Sequence, residues 1–235
     1  MSPIAPGSVN AAFRSSKNNE AYIFINNEYI LEDYAPGSSH DKILKGPLLI
    51  SDGFPSLKGT PFGDHGIECA FDTDGTDAFI FSGELCALVD YAKPGDEYMM
   101  LESGPIYEMF PRLKGTAFEK RINAAFRSSL SNEAYIFTGD HYARINYASK
   151  KVIYTDAIKN VWHCLVGTIF ESGIEAAFAS HRTEEAYFFK GDQYARIKFT
   201  PGKNEDYDII DKVKPIKPSW NALGDLLERK NSTKV

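Results

Sequence analysis

Four residues in this sequence could supply oxygen ligands to one bound ion. Each stands at the start of a short segment rich in alanine and phenylalanine; they are Asn10, Glu68, Asn123 and Glu175. If these segments surround a common axis, their carbonyl oxygens form a ring, and a hard cation such as Ca²⁺ or Na⁺ prefers oxygen ligands at roughly 2.3–2.6 Å. Two glutamates buried near an axis without a counter-charge would be costly. The pattern therefore predicts a cation between the four segments.

Alanines recur two residues after each of these positions. They are Ala12, Ala70, Ala125 and Ala177. One interpretation is a second ring of carbonyl ligands, at a level where any side chain larger than methyl would crowd the axis. The other is that small residues simply let neighbouring units approach closely, with no ion involved. The sequence leaves both open.

The residue types used in catalysis show no recognisable arrangement. The chain has no HExxH, GxSxG or P-loop motif and no Cys/His pairing with a known spacing. Its three cysteines, at irregular spacing, predict neither a disulfide framework nor a zinc site. We therefore expect a protein that is not an enzyme.

The segments that carry the candidate ligands belong to a fourfold internal repeat. NAAFRSSKNNEAYIF from Asn10 returns as NAAFRSSLSNEAYIF from Asn123, identical at 13 of 15 positions, and weaker copies begin at Ile67 and Ile174. The shared phenylalanines are Phe13, Phe71, Phe126 and Phe178, at spacings of 58, 55 and 52 residues. Such a period is typical of propeller and solenoid repeats.

Each repeat has the pattern of four short strands. A polar turn separates the NAAF-type segment from the EAYIF-type segment, and a Gly-Asp or Gly-Glu step then predicts a tight hairpin into a third strand such as YARI. Proline and glycine mark the fourth segment as an outer edge strand that ends in a short helix or turn. Four strands cannot bury both faces alone, whereas stacking around an axis buries them. The sequence predicts an all-β fold, a four-bladed β-propeller with a central axial channel.

The propeller is predicted to be one domain over residues 4–224. Its blades are approximately residues 4–62, 63–118, 119–170 and 171–224, and residues 225–235 are expected to form a polar, frayed C-terminal tail. An alternative is two tandem β domains of two repeats each, because the first and third repeats are the most alike. No linker composition separates the halves, which favours the single propeller.

Charge and hydropathy argue against several classes of partner. The formal net charge of −6 and the pI near 5.4 disfavour nucleic acid and favour polycations. No apolar run approaches the ~18 residues of a membrane helix, and the first residues do not resemble a secretory signal. We expect a cytoplasmic protein with neither a nucleic-acid nor a membrane partner.

The NAAF, ECAF, NAAF and EAAF series, the EAYIF-type strands and the FPSLKGT and FPRLKGT closures resemble hemopexin-type repeats, and are most similar to the legume seed albumin-2 group. The resemblance covers residues 4 to about 224. It implies calcium, sodium and chloride in the channel, although hemopexin repeats generally start with Asp where this chain has Asn or Glu. Because the cysteines do not join the first blade to the last, we expect non-covalent ring closure through Ile4, Val9, Trp220 and Leu223.

The same resemblance implies further ligands. Seed albumins of this group are associated with spermine and haem, and Glu68 and Glu175 would be the partners of the spermine ammonium groups. No histidine recurs in all four repeats, so the residues that contact haem are not assigned. A homodimer and a nutrient-storage role in the seed cytosol are also implied. The alternative is a structural propeller that binds other proteins and no small molecule.

Overall fold

The computed structural model describes residues 7–91, 99–205 and 207–232. These residues form four antiparallel sheets of four strands, and each sheet keeps the order of the chain. The strands are β1 (Ala11–Arg14), β2 (Glu20–Ile25), β3 (Glu28–Asp33) and β4 (Lys42–Leu49) in the first sheet; β5 (Cys69–Asp72), β6 (Asp77–Ser82), β7 (Leu85–Asp90) and β8 (Met99–Pro105) in the second; β9 (Ala124–Arg127), β10 (Glu133–Thr138), β11 (His141–Asn146) and β12 (Lys151–Ala157) in the third; and β13 (Ala176–Ala179), β14 (Glu185–Lys190), β15 (Gln193–Lys198) and β16 (Asp208–Pro215) in the fourth.

Short helices connect the sheets, as the sequence predicted for the end of each fourth strand. The α-helices are α1 (Ile50–Gly53), α2 (Pro61–Asp64), α3 (Ile106–Met109), α4 (Ile158–Val161), α5 (Ile216–Ser219) and α6 (Asn221–Ser232), and 3₁₀ turns cover Pro55–Leu57, Pro111–Leu113, His163–Leu165 and Ile169–Ser172. Among the described residues, no helix is long and apolar enough to cross a membrane.

The four sheets are the blades of one propeller. The first strands of neighbouring blades, β1, β5, β9 and β13, contact each other all the way around the ring, including β13 against β1. Strands β5 and β13 also approach each other across the axis. The prediction of a four-bladed β-propeller is confirmed, and the alternative of two tandem domains is wrong because the first and fourth blades pack directly together.

Each blade packs its aromatic face on the small and aliphatic face of the next blade. Between the first and second blades, Phe13, Phe24 and Phe54 share one buried core with Ala70 and Ile80. The strands alternate sides, so each blade contributes to two such cores. Full burial of an aromatic side chain contributes about 1.5–3 kcal/mol, and these cores therefore hold the ring together.

The ring closes without a covalent bond between its first and last blades. Val9, Trp220 and Leu223 lie in one buried core between the fourth and first blades, as predicted. Ile4, the fourth residue predicted at this seam, lies outside the described residues. The three cysteines are free thiols, with Cys69 and Cys86 buried.

The C-terminal segment is not the polar tail that the sequence predicted. Residues 221–232 form α6, whose Leu226 and Leu227 are buried in the same closing core. Its first turn is capped from the other end of the chain, because the Asp41 carboxylate accepts hydrogen bonds from the N–H groups of Asn221, Ala222 and Leu223 at 2.7, 2.8 and 3.1 Å. The apolar spacing of this short helix was hidden in a mostly charged stretch.

Candidate ion and ligand sites along the propeller axis

The four first-ring residues occupy equivalent places at one end of the axis. Each lies one residue before an inner strand, and its N–H donates to a carbonyl of the second strand at 2.8–3.1 Å. The inner strands are sheet edges, and an edge strand carries backbone groups that its own sheet does not use. Those edges face one another around the axis, which brings the four predicted positions together.

Their side chains have a structural task that the sequence did not suggest. Glu68, Asn123 and Glu175 accept a hydrogen bond from the N–H of Gly83, Gly139 and Gly191 at 3.3, 3.0 and 2.8 Å. In the first blade Asn10 accepts in the same way from the Asn26 N–H. These four donors all have a left-handed backbone at the second hairpin, with φ between 52° and 58°. Either Asn or Glu satisfies this turn because both carry an acceptor oxygen.

The electrostatic argument made from the sequence is wrong in its premise. Glu68 and Glu175 are only partly buried, and each has a cationic neighbour. Arg121 lies 3.2 Å from the Glu68 carboxylate, and Glu175 acts on Lys190 to favour its charged form although burial lowers the pKa of that lysine. No external cation is therefore required to neutralise the two glutamates.

The recurrent alanines point their methyl groups into the cores between blades. Ala12 lies in the core of the fourth and first blades, Ala70 in that of the first and second, Ala125 in that of the second and third, and Ala177 in that of the third and fourth. A larger side chain would push the blades apart, so close blade packing explains the alanines. A second ring of carbonyl ligands stays a prediction.

The opposite end of the axis is closed by an ion-pair network. Arg14 of the first blade and Arg127 of the third both contact the Asp72 carboxylate of the second, at 3.2 and 2.9 Å. Arg14 also donates to the Ser180 carbonyl of the fourth blade at 2.8 Å. These residues end or follow the four inner strands, and their contacts join all four blades.

Asp72 is the most perturbed carboxylate of this network. Burial raises its pKa to about 6, although the Arg14 guanidinium acts in the opposite direction. The signal was present in the sequence, since the residue after the shared phenylalanine is Arg14, Asp72, Arg127 or Ala179 in successive repeats. Opposite charges on neighbouring blades predict a contact across the axis, and the sequence-based prediction missed it.

The histidines are poor candidates for ligands of haem iron. His40, His65, His141 and His163 are exposed. His181 is half-buried between the fourth and first blades, where Nδ1 is shared with the Tyr34 hydroxyl at 2.8 Å and the Asn19 N–H at 3.2 Å, and Nε2 faces the Ser15 carbonyl at 3.0 Å. Both of its ring nitrogens are therefore engaged.

Within the described ranges, no group of three or more His, Cys, Asp or Glu side chains is placed to hold a metal ion. The predicted cation site thus depends on the backbone carbonyl oxygens of Asn10, Glu68, Asn123 and Glu175. The structure fits such a site because the free edges of the four inner strands meet at the same height along the axis.

Comparison with known proteins agrees with this architecture. The hemopexin family model matches residues 174–224. Albumin-2 of Pisum sativum is 50% identical over 228 residues, which cover 96% of this chain and 98% of that protein. This chain belongs to the albumin-2 family of hemopexin-fold seed proteins.

Solved structures of albumin-2 relatives have the same fold. LS24, a seed albumin from Lathyrus sativus, matches with a TM-score of 0.91 and 50% identity over 95% of this chain and 99% of its own. A plant lectin with two metal binding sites, from Cicer arietinum, matches with a TM-score of 0.86 and 52% identity over 90% and 95% of the two chains. The family assignment made from the repeats is confirmed.

Proposed function

We propose that this albumin-2 protein is a non-enzymatic binding protein whose axial channel holds cations. The observation that carries the proposal is the meeting of four inner sheet edges at the level of Asn10, Glu68, Asn123 and Glu175. Edge carbonyls suit Ca²⁺ or Na⁺, and N–H groups on the same edges suit chloride. The two metal sites of the Cicer arietinum relative support this proposal.

The proposal extends to a polyamine and to haem. Spermine would enter at the end that carries Glu68 and Glu175, where its ammonium groups would compete with Arg121 and Lys190 for the two carboxylates. No residue is assigned to haem: His181 has both ring nitrogens engaged, and the other four histidines lie at the surface. A storage role in a reducing seed cytosol, with the chain as a homodimer, completes the proposal; the three free thiols are compatible with it.

Calorimetric titration with calcium, spermine and haemin tests the proposal. We expect saturable calcium and spermine binding to the wild-type protein. Glu68→Gln with Glu175→Gln should keep calcium binding, which uses carbonyls, and weaken spermine about tenfold, because two charge-assisted contacts are lost. Glu205→Gln, at an exposed glutamate, is the matched control.

The outcomes separate the parts of the proposal. Equal spermine affinity in all three proteins would show that the two glutamates are not its partners. If calcium, spermine and haemin all fail to bind saturably, the chain is better described as a structural propeller.

A further inference from the structure

A tyrosine from the fourth blade fills a cup on the third blade. The cup consists of Tyr135, Tyr142, Arg144 and Trp162, and the ring of Tyr207 stacks on Trp162 with a centroid distance of 3.8 Å and an angle of 9°. The Tyr207 hydroxyl donates to the Lys203 carbonyl at 2.7 Å. Arg144 Nη1 donates to the same carbonyl at 3.0 Å. The occupant is thus a phenol, with a shared acceptor oxygen beside the guanidinium.

The fourth blade has the same cup, and the chain leaves it open. Tyr187, Tyr194 and Arg196 occupy the same strand positions as Tyr135, Tyr142 and Arg144, and Trp220 follows α5 as Trp162 follows α4. These four residues line a cavity of about 320 Å³ beneath the 34–39 segment of the first blade. The parallel ring over Trp220 is Tyr34, whose centroid is 6.2 Å away. The cavity corresponds to the place that Tyr207 takes one seam earlier.

The equivalent cup on the second blade lacks the arginine and contains a lysine ammonium group. Leu88 stands at the arginine position, and the Lys150 Nζ of the third blade lies over Phe79 and Phe110 at 4.6 and 4.5 Å from the ring centroids. An ammonium over aromatic faces is a cation–π contact. In these two filled cups, leucine lies beside an ammonium and arginine beside a phenol. The corresponding loop of the second blade, residues 92–98, lies outside the described residues.

The charges of the open cup favour a phenol over a cation. Arg196 pairs with Glu185 at 3.0 Å, and it lies 3.9 Å from Asp211, which also pairs with Lys214 at 3.2 Å. Both carboxylates beside the cup, Glu185 and Asp211, therefore already have a cationic neighbour. Arg196 Nε and its counterpart in the filled cup, Arg144 Nε, are both buried without a hydrogen-bond partner among the described residues, so the two guanidinium groups have similar surroundings. An uncharged ring with an acceptor oxygen can approach this guanidinium, whereas the balanced charges give no net attraction to an ammonium.

We propose that the cup formed by Tyr187, Tyr194, Arg196 and Trp220 binds a small planar phenol. The ring takes the place that Tyr207 occupies in the neighbouring seam, and its oxygen accepts a hydrogen bond from Arg196. This site lies on the outer part of the seam between the fourth and first blades, so it is separate from the axial channel and independent of the ions proposed there. Stacking and the charge-assisted hydrogen bond both contribute to the affinity.

The test uses three probes of equal ring size, namely 4-methylphenol, toluene and benzylamine. We expect 4-methylphenol to bind the wild-type protein saturably at a stoichiometry of one, with quenching of tryptophan fluorescence, and to bind more tightly than either other probe. Arg196→Leu should weaken 4-methylphenol about tenfold and strengthen benzylamine. Leucine is compatible with the fold here because Leu31 and Leu88 occupy this position in other blades. Arg112→Leu, at an exposed arginine, is the control.

A second variant tests the equivalence of the two cups. Tyr207→Ala should open the third-blade cup and raise the 4-methylphenol stoichiometry from one to two. Unsaturable 4-methylphenol binding to the wild-type protein, or equal affinity in wild type and Arg196→Leu, overturns the proposal. A folded Tyr207→Ala protein that still binds one equivalent also contradicts it, because the filled and open cups would then not be alike.

Discussion

Replacing Glu32 with isoleucine should stabilise the protein, and the gain should grow with pH. Glu32 is the fifth residue of β3, and the fifth residues of β7, β11 and β15 are Val89, Ile145 and Ile197. The Glu32 side chain is fully buried, and its carboxyl group has the Asp41 and Asp33 carboxylates as neighbours. The first blade thus places a carboxyl group where the other blades place an aliphatic core residue.

The magnitude follows from burial and proton linkage. Burial, followed by the neighbouring Asp41 and then Asp33, raises the pKa of Glu32 well above its ordinary value of 4.5. The stability contributed by the protonated group is present below pH 4.5 and is lost as the pH rises through the raised pKa, at up to about 1.4 kcal/mol per pH unit. Isoleucine removes this loss, and it also replaces a buried carboxyl group with an aliphatic side chain, which adds about 1–3 kcal/mol at every pH.

Urea unfolding at pH 5 and pH 8 measures both effects. Taking the difference between variant and wild type cancels the other titrating groups, including Asp72. Glu32→Gln keeps the shape and loses the ionisation, so it should remove the pH dependence without the apolar gain. A Glu32→Ile protein whose gain is the same at both pH values would falsify the linkage argument, and one that is less stable at pH 5 would refute the packing argument.

Two further predictions concern the same seam. Asp41→Ala should lower the free energy of unfolding by about 1–2 kcal/mol, because the first turn of α6 loses its cap; thermal unfolding should show little change for the exposed Asp52→Ala control. Burial lowers the pKa of His181, so the stability it contributes is present above its ordinary 6.5 and is lost as the pH falls through the lowered pKa. His181→Gln should reduce the loss of stability at acidic pH, measured as the free energy of unfolding against pH, and His40→Gln should leave that loss unchanged.

The repeat made the architecture predictable in detail. The spacing of Phe13, Phe71, Phe126 and Phe178 gave the number of blades, and the glycine steps at the second hairpin located turns that do have left-handed backbone. Both signals are local and occur several times, so an error in one copy is corrected by the others. The closing core around Val9, Trp220 and Leu223 could also be predicted, because the first and last blades of a ring must pack together.

The candidate site was harder to predict because its contacts cross between repeats. Asn10 and Glu68 were expected to serve an ion, yet a side-chain oxygen that caps a hairpin has the same residue type and spacing as one that binds a cation. The position of Arg121 beside Glu68 depends on the path of an inter-blade connector. Glu32 shows the opposite case, because aligning the sequences of the four third strands is enough to mark it as unusual.

The packing of α6 and the fourth blade on the first blade also constrains how the protein is made. The apolar face of the first blade that contains Ile23 packs against the fourth blade and against Leu223, which emerges from the ribosome 200 residues later. At about 5–20 residues per second, this face waits roughly 10–40 s for its partner. Nascent chains leave this face uncovered and chains cut short before α6 leave it partly covered, so a holdase chaperone that binds exposed aliphatic surface has a defined place and interval in which to act.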